Sequence, residues 1–122
     1  MIVLDSNIVI EFAQAQPATV RWLETALDAG ELFALSAVSF VEVFRKPNLP
    51  DYERLVLEHW IRFRLLIDVD LSIARLAATI SRTHRLKTVD SIIAATAILN
   101  DSQLASRDED FTRVGELSLI VP

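Results

Sequence analysis

The chain has 122 residues, no cysteine and a formal net charge of -5, and 52% of its residues are hydrophobic. This length predicts a single domain, residues 1–122, and the lack of cysteine excludes disulfides and thiolate metal sites and favours a reducing cytoplasm. The negative charge argues against broad, purely electrostatic binding to nucleic acid. The longest nearly apolar run, VDSIIAATAIL, is far shorter than the ~20 residues of a membrane span, so neither a membrane segment nor a signal peptide is predicted.

Short apolar runs alternate with helical patterns in the first half of the chain. IVL is typical of a buried strand, and a helical turn is predicted from Ser6 to Gln14. Pro17 suits the first position of the next helix, which Gly30 ends. LFALS is predicted as a strand and AVSFVEVFRK as a helix, which KPNLP ends.

The second half continues the same alternation. DYERLVLEHWIRFRLL is predicted as one long amphipathic helix, followed by the strand LIDVD and the helix LSIARLAATISRTHR. VDSIIAATAILN is apolar on nearly all sides, so it is predicted as a central, buried helix with Asn100 as its left-handed C-cap. QLAS and LSLIV are the last two strands. This order predicts an α/β fold with a mainly parallel sheet of about four or five strands, covered by helices on both faces.

Four carboxylates occupy positions that such a sheet could bring together. Asp5 and Asp108 each follow a predicted strand, Asp90 lies in the first turn of the buried helix, and Glu42 lies inside VSFVEVF. Ligands of open parallel sheets bind beyond the carboxyl ends of the strands. Several like charges in one cleft are costly unless a cation compensates them. Oxygen ligands without Cys or His suit Mg²⁺ or Mn²⁺ rather than Zn²⁺, and such a cation stabilises the charge that develops in phosphodiester cleavage.

Each of these acids also has an ordinary structural explanation, which the sequence leaves open. Such an acid can cap a helix, favour a helix dipole, form a surface ion pair or belong to a turn. In that interpretation Asp5 and Ser6 cap the helix that follows them, and Asp90 interacts with a helix dipole while Thr88 caps that helix. Glu42 forms an i,i+4 pair with Lys46, and Asp108 belongs to a turn.

Four blocks of the sequence occur in the order and at about the spacing of PIN domains: MIVLDSNIVI, SFVEVFRK, LKTVDSIIAATAI and ASRDEDF. The chain resembles in particular the VapC-type toxins of bacterial toxin–antitoxin pairs, from Ile2 to the final strand. This resemblance implies a single PIN-like domain and an endoribonuclease that depends on Mg²⁺ or Mn²⁺. It also implies an RNA substrate, a cognate antitoxin protein as partner, a homodimer and a cytoplasmic location.

The resemblance also implies roles for individual residues. Carried over residue by residue, the acidic ligand positions fall on Asp5, Glu42, Asp90 and Asp108. Asp110 is the alternative for the fourth position, or it holds a water beside the site. Ser6 matches the hydroxyl residue after the first Asp, and Ser106 stands where the family often has Thr.

Basic residues near these acids in the sequence are candidates for holding the RNA backbone, because lysine and arginine contact phosphates. These candidates are Arg45, Lys46, Arg82, Arg85, Lys87 and Arg107. The alternative is that they are solvated charges near helix ends.

Two other functions remain to be weighed against a nuclease. A PIN-like domain could bind RNA or protein without cutting, although all four expected polar positions carry acids. Phosphatases of the haloacid-dehalogenase type use D-x-D after the first strand, whereas this chain has Asp5-Ser6-Asn7 and lacks the second carboxylate. The apolar residues of DYERLVLEHWIRFRLL could serve a homodimer or an antitoxin groove.

Overall fold

A five-stranded sheet and six α-helices make up the structure, a computed structural model that describes all residues from Met1 to Pro122. The strands are β1 (Ile2–Leu4), β2 (Phe33–Ser36), β3 (Leu65–Ile67), β4 (Gln103–Ala105) and β5 (Leu119–Ile120). The helices are α1 (Ser6–Ala13), α2 (Pro17–Asp28), α3 (Ala37–Phe44), α4 (Asp51–Ile61), α5 (Leu71–His84) and α6 (Thr88–Leu99). A 3₁₀ turn, Glu109–Arg113, lies between β4 and β5.

The strand order is β3-β2-β1-β4-β5, and every neighbouring pair is parallel. The chain winds outward from β1 to β3 on one side and from β4 to β5 on the other. The strand order therefore reverses between β1 and β4, where Val3 pairs with Leu104. A crevice opens at such a switch point, beyond the carboxyl ends of the two strands.

Alternate residues of β1 pack into two separate apolar layers. Ile2 and Leu4 belong to the cluster that includes residues of α1, α2 and α4, and Val3 belongs to the cluster that includes α5 and α6. Successive side chains of a strand point to opposite faces, so a run of three apolar residues means burial on both sides. The predicted α/β class, the parallel sheet of four or five strands and the helices on both faces are confirmed.

The helix predicted over DYERLVLEHWIRFRLL was too long. α4 ends at Ile61, and Leu65–Ile67 form the edge strand β3, so the strand predicted as LIDVD begins one residue earlier and ends sooner. Leu65 pairs with Ala34 of β2, and this long-range pairing outweighs the local helical pattern.

Asn100 was wrongly predicted as a left-handed cap. Its φ is -97°, and the left-handed residue is Asp101, with a φ of 49°. The preceding helix α6 is buried along most of its length, as predicted from its apolar residues. None of the helices combines the length and the apolar character that crossing a membrane requires.

Candidate functional site

The four predicted carboxylates line one cavity of about 130 Å³ at the carboxyl end of the sheet. Asp5 follows β1 and Asp108 lies beyond β4, so the switch point between these strands brings them together. Glu42 reaches the cavity from α3, and Asp90 reaches it from the first turn of α6. The structure therefore brings together four acids that are far apart in the sequence.

Asp5 is nearly inaccessible to solvent, with 4% of its surface exposed. It is the residue before α1, but its side chain makes no capping hydrogen bond to that helix. Instead its Oδ2 accepts a hydrogen bond of 2.7 Å from the hydroxyl of Ser106. Burial raises the pKa of Asp5 most, and the nearby charges of Glu42 and Asp108 raise it further, against the lowering effect of hydrogen bonds from Ser106 and the backbone of Ser6.

Ser106 connects two of the acids. Its buried hydroxyl donates to Asp5 and accepts a hydrogen bond of 3.0 Å from the backbone N–H of Asp108. Asp108 in turn accepts at Oδ1 from the N–H of Asp110, at 2.9 Å, and so begins the 3₁₀ turn. Asp108 therefore begins a turn, as the sequence allowed, and also lines the cavity.

Glu42 does not form the i,i+4 pair that the sequence suggested. Its Oε1 accepts a hydrogen bond of 2.7 Å from the hydroxyl of Ser6, whereas Lys46 pairs with Glu53 at 3.6 Å. Ser6 is buried, with 4% of its surface exposed, and Glu42 is half-buried, so this hydrogen bond is partly shielded from competing water. Each serine beside the acids therefore orients one carboxylate.

Both burial and the neighbouring acids oppose the ionisation of Asp90. Partial burial and the charges of Asp5, Asp108 and Glu42 raise its pKa to about 6, while Lys87 lowers it. Thr88 is not the cap of α6, because the helix already includes it and Lys87 is the residue before the helix. Asp5, Asp108 and Glu42 are thus close enough to Asp90 to oppose its ionisation.

Asp110, the alternative fourth acid, is engaged elsewhere. Its Oδ1 pairs with Arg113 at 2.9 Å, and the residue does not line the acidic cavity. The geometry therefore favours Asp108 over Asp110 as the fourth acid of the site.

Two of the basic candidates lie beside the acids. Arg45 lines the acidic cavity, and Arg45 and Lys87 both line an adjoining cleft of about 450 Å³. The remaining candidates do not line the acidic cavity. Arg82 lines a groove between α5 and α6, and the backbone carbonyl of Arg85 accepts a hydrogen bond from Arg113. Lys46 pairs with Glu53, and Arg107 contacts Glu11 and Thr19.

Two residues near the site were not singled out as site residues from the sequence. Asn7 lines both the cavity and the adjoining cleft, and its position directly after Asp5 and Ser6 was the available signal. Glu11 binds Arg107 across 96 residues of sequence. No local pattern could indicate that pairing, because it depends on how α1 approaches the segment after β4.

The chemistry of the donor set fits a hard divalent cation. The cavity offers four carboxylates and no sulfur or imidazole ligand, which suits Mg²⁺ or Mn²⁺. Burial raises the pKa of Asp5 and of Asp90 most, and the charges of the neighbouring acids raise both further, so a bound cation would favour their ionised forms. No three of these carboxylates are arranged as a finished set of metal ligands in the structure.

Replacement of Ser106 by Ala should lower the free energy of unfolding by about 1–3 kcal/mol, because a buried carboxylate and a backbone N–H lose their partner. The pKa of Asp5 should rise further, since this hydrogen bond favours its ionised form. Urea unfolding at pH 7 measures the effect, with exposed Ser72→Ala on α5 as the control. Equal stability of Ser106→Ala and the control would contradict this account of the hydroxyl.

Comparison with solved structures gives the same fold several times. A toxin–antitoxin complex from Klebsiella pneumoniae contains a chain that matches with a TM-score of 0.83 and 23% identity, covering 100% of this chain and 98% of that one. VapBC2 from Rickettsia felis, bound to a DNA fragment from its promoter, matches with a TM-score of 0.84 and 19% identity over 98% of both chains. DNA-bound VapBC from Salmonella typhimurium matches with a TM-score of 0.80 and 20% identity, over 98% of this chain and 96% of that one.

These structural similarities establish the fold, since the sequence identities are low. No curated protein sequence matches the chain significantly. The family model of the PIN domain, however, matches residues 2–117, which include all four acids of the cavity and the whole sheet except its last strand. The chain therefore belongs to the PIN domain family.

Proposed function

We propose that this protein is an endoribonuclease dependent on Mg²⁺ or Mn²⁺, and the toxin of a VapC-type toxin–antitoxin pair. The observation that carries the proposal is the convergence of Asp5, Glu42, Asp90 and Asp108 on one cavity at the switch point of a parallel sheet. Such a cluster is electrostatically unfavourable on its own. A divalent cation would compensate the repulsion between the carboxylates and would be bound by them.

The side chains around the cavity have distinct tasks in this reaction. The four carboxylates would hold the cation, which lowers the pKa of water and stabilises negative charge on the phosphate oxygens. Ser6 and Ser106 orient Glu42 and Asp5 through hydrogen bonds of 2.7 Å.

The RNA itself would be held by cations of the protein. Arg45 and Lys87 would contact the phosphates of the RNA, because both line the cleft next to the acids. Unpaired RNA is the expected substrate, since its backbone and bases are accessible to a protein cleft.

Two protein partners are part of the proposal. One of the structural relatives named above is a toxin–antitoxin complex and two are VapBC assemblies, which supports an antitoxin as a partner of this chain. A generous apolar surface supports both that contact and a homodimer. It includes an apolar groove lined by Phe12, Tyr52, Leu55, Val56, His59 and Trp60. We expect the pair to act in the cytoplasm.

The decisive experiment is cleavage of total cellular RNA and of an unpaired synthetic RNA by the purified chain. We expect cleavage with Mg²⁺ or Mn²⁺, none with EDTA, and none with Asp5→Asn purified in the same way. Asp28→Asn at the exposed end of α2 is the matched control and should cut like the wild type. Cleavage that persists in EDTA, or that Asp5→Asn retains, would overturn the metal site.

The same experiment decides the non-catalytic alternative. A PIN-like domain that only binds RNA would shift the RNA in a binding assay under every metal condition and leave its length unchanged. The acids at all four positions of the cavity favour cleavage, because a site that only bound phosphate would gain nothing from them.

A further inference from the structure

Arg107 closes a polar triangle with residues from two helices. Its Nη1 donates to the carboxylate Oε2 of Glu11 on α1, and its Nη2 donates to the hydroxyl of Thr19 on α2 at 3.1 Å. The same hydroxyl donates to Oε2 of Glu11 at 2.6 Å. Each of the three side chains therefore contacts the other two, and we call this set the Arg107 triangle.

The triangle has the features of an ordered contact rather than of a loose surface ion pair. Thr19 is 1% exposed, and its hydroxyl uses both its proton and a lone pair within the triangle. The side chains of Arg107 and Glu11 are 34% and 31% exposed. Hydrogen bonds between ionised groups are shorter and stronger than neutral ones, so a planar guanidinium with two partners is held in one orientation.

The triangle anchors the segment that carries one of the four acids of the cavity and the serine that hydrogen-bonds another. Arg107 lies between Ser106, which donates to Asp5, and Asp108, which lines the cavity. The N–H of Asp108 donates to the hydroxyl of Ser106, so the two neighbours of Arg107 are coupled to each other. Arg107 ties this segment to α1, the helix that begins directly after Asp5.

We propose that Glu11, Thr19 and Arg107 are positioning residues that hold the segment Ser106–Asp108 so that Asp108 faces the cation. This inference rests on the cation site of the proposed function. The guanidinium of Arg107 is committed to Glu11 and Thr19, so its role differs from the direct RNA contact considered above. A displacement of about 1 Å at a reacting centre can cost 10²-fold in rate, which makes a side chain outside the cavity consequential.

Three single variants test the proposal: Arg107→Ala, Glu11→Gln and Thr19→Val. Isothermal titration with Mn²⁺ alone measures the site directly, and cleavage of an unpaired RNA gives kcat and KM. Groups that orient metal ligands usually contribute 10–100-fold, so we expect about 10-fold weaker Mn²⁺ binding and about 10–100-fold lower kcat. KM for RNA should be unchanged, and Arg107→Lys, which can still reach Glu11, should recover part of the Mn²⁺ affinity.

Helix α2 offers a matched control for each variant. Arg21→Ala, Glu24→Gln and Thr25→Val change the same residue types at exposed positions of this helix and should bind Mn²⁺ like the wild type. Circular dichroism at the assay temperature confirms that each variant is folded before it is titrated.

The possible outcomes separate the inference from the proposed function. Equal Mn²⁺ affinity of the wild type and the triangle variants would overturn the positioning role. A higher KM for Arg107→Ala alone, with Glu11→Gln unaffected, would also overturn it and assign Arg107 to the RNA. If the wild type binds Mn²⁺ but cuts no RNA, the nuclease function fails while weaker binding by the variants supports the positioning role. A wild type that binds no Mn²⁺ overturns both.

Discussion

Replacement of Asp90 by Asn should abolish the growth arrest that we expect when the chain is expressed alone in a bacterial host. Asn has nearly the shape of Asp but carries no charge. The substitution therefore replaces one of the four carboxylates of the cavity by a neutral amide. Orienting groups around metal ligands contribute 10–100-fold, so loss of a ligand itself should reduce RNA cleavage by at least ~100-fold. The measurement is growth after induction, together with cleavage by the purified variant.

The comparison requires equal amounts of protein, because a toxic chain is selected against during growth. Immunoblots at the time of induction provide this check, and Asp28→Asn at an exposed position of α2 is the matched control that should remain toxic. Equal toxicity of the wild type and Asp90→Asn would remove nuclease activity as the cause of the arrest.

The second large effect is expected in the stability of the protein without added metal. The pKa of Asp90 is raised from 3.8 to about 6 in the folded protein, so the folded state binds its proton more tightly than the unfolded chain does. The stability contributed by that proton is fully present below pH 3.8 and is lost as the pH rises through 6. The raised pKa of Asp5 acts in the same direction.

Asp90→Asn should therefore raise the melting temperature relative to the wild type at pH 8 in EDTA, with a much smaller difference near pH 3.5. Asn is neutral at both pH values, so it avoids the cost of a partly buried charge and the repulsion by the other acids of the cavity. Thermal unfolding followed by circular dichroism measures the difference. An Asn variant that is less stable than the wild type at pH 8 would show that Asp90 is stabilising as a charged group.

Mn²⁺ should offset this difference at pH 8, because it stabilises the wild type more than the Asn variant. A cation at 100 times its dissociation constant stabilises the folded wild type by about 2.7 kcal/mol, which corresponds to roughly 10 °C for a domain of this size. The Asn variant should gain much less, because one ligand is gone. The same melting temperature for the wild type with and without Mn²⁺ would contradict a cation site at these carboxylates.

Local patterns in the sequence predicted most of the fold because they act over a few residues. The apolar run of β1 requires burial on two faces, Pro17 and Gly30 bound the region of α2, and the apolar surface of α6 predicts a central helix. The ends of elements were less predictable. Leu65 was predicted to be helical, but it pairs with Ala34 of the neighbouring strand, which is distant in the sequence.

The sequence by itself indicated the acids of the candidate site, through their positions and through the resemblance to PIN domains, and left Asp110 as an alternative to Asp108. Only the tertiary structure decided which partner each charged group takes: Glu42 binds Ser6 rather than Lys46, Asp110 binds Arg113, and Arg107 binds Glu11. Exposed ion pairs are each worth only about 0–1 kcal/mol, so local spacing cannot choose among such partners. The choice follows from the strand order, which places β1 beside β4 and brings distant segments together.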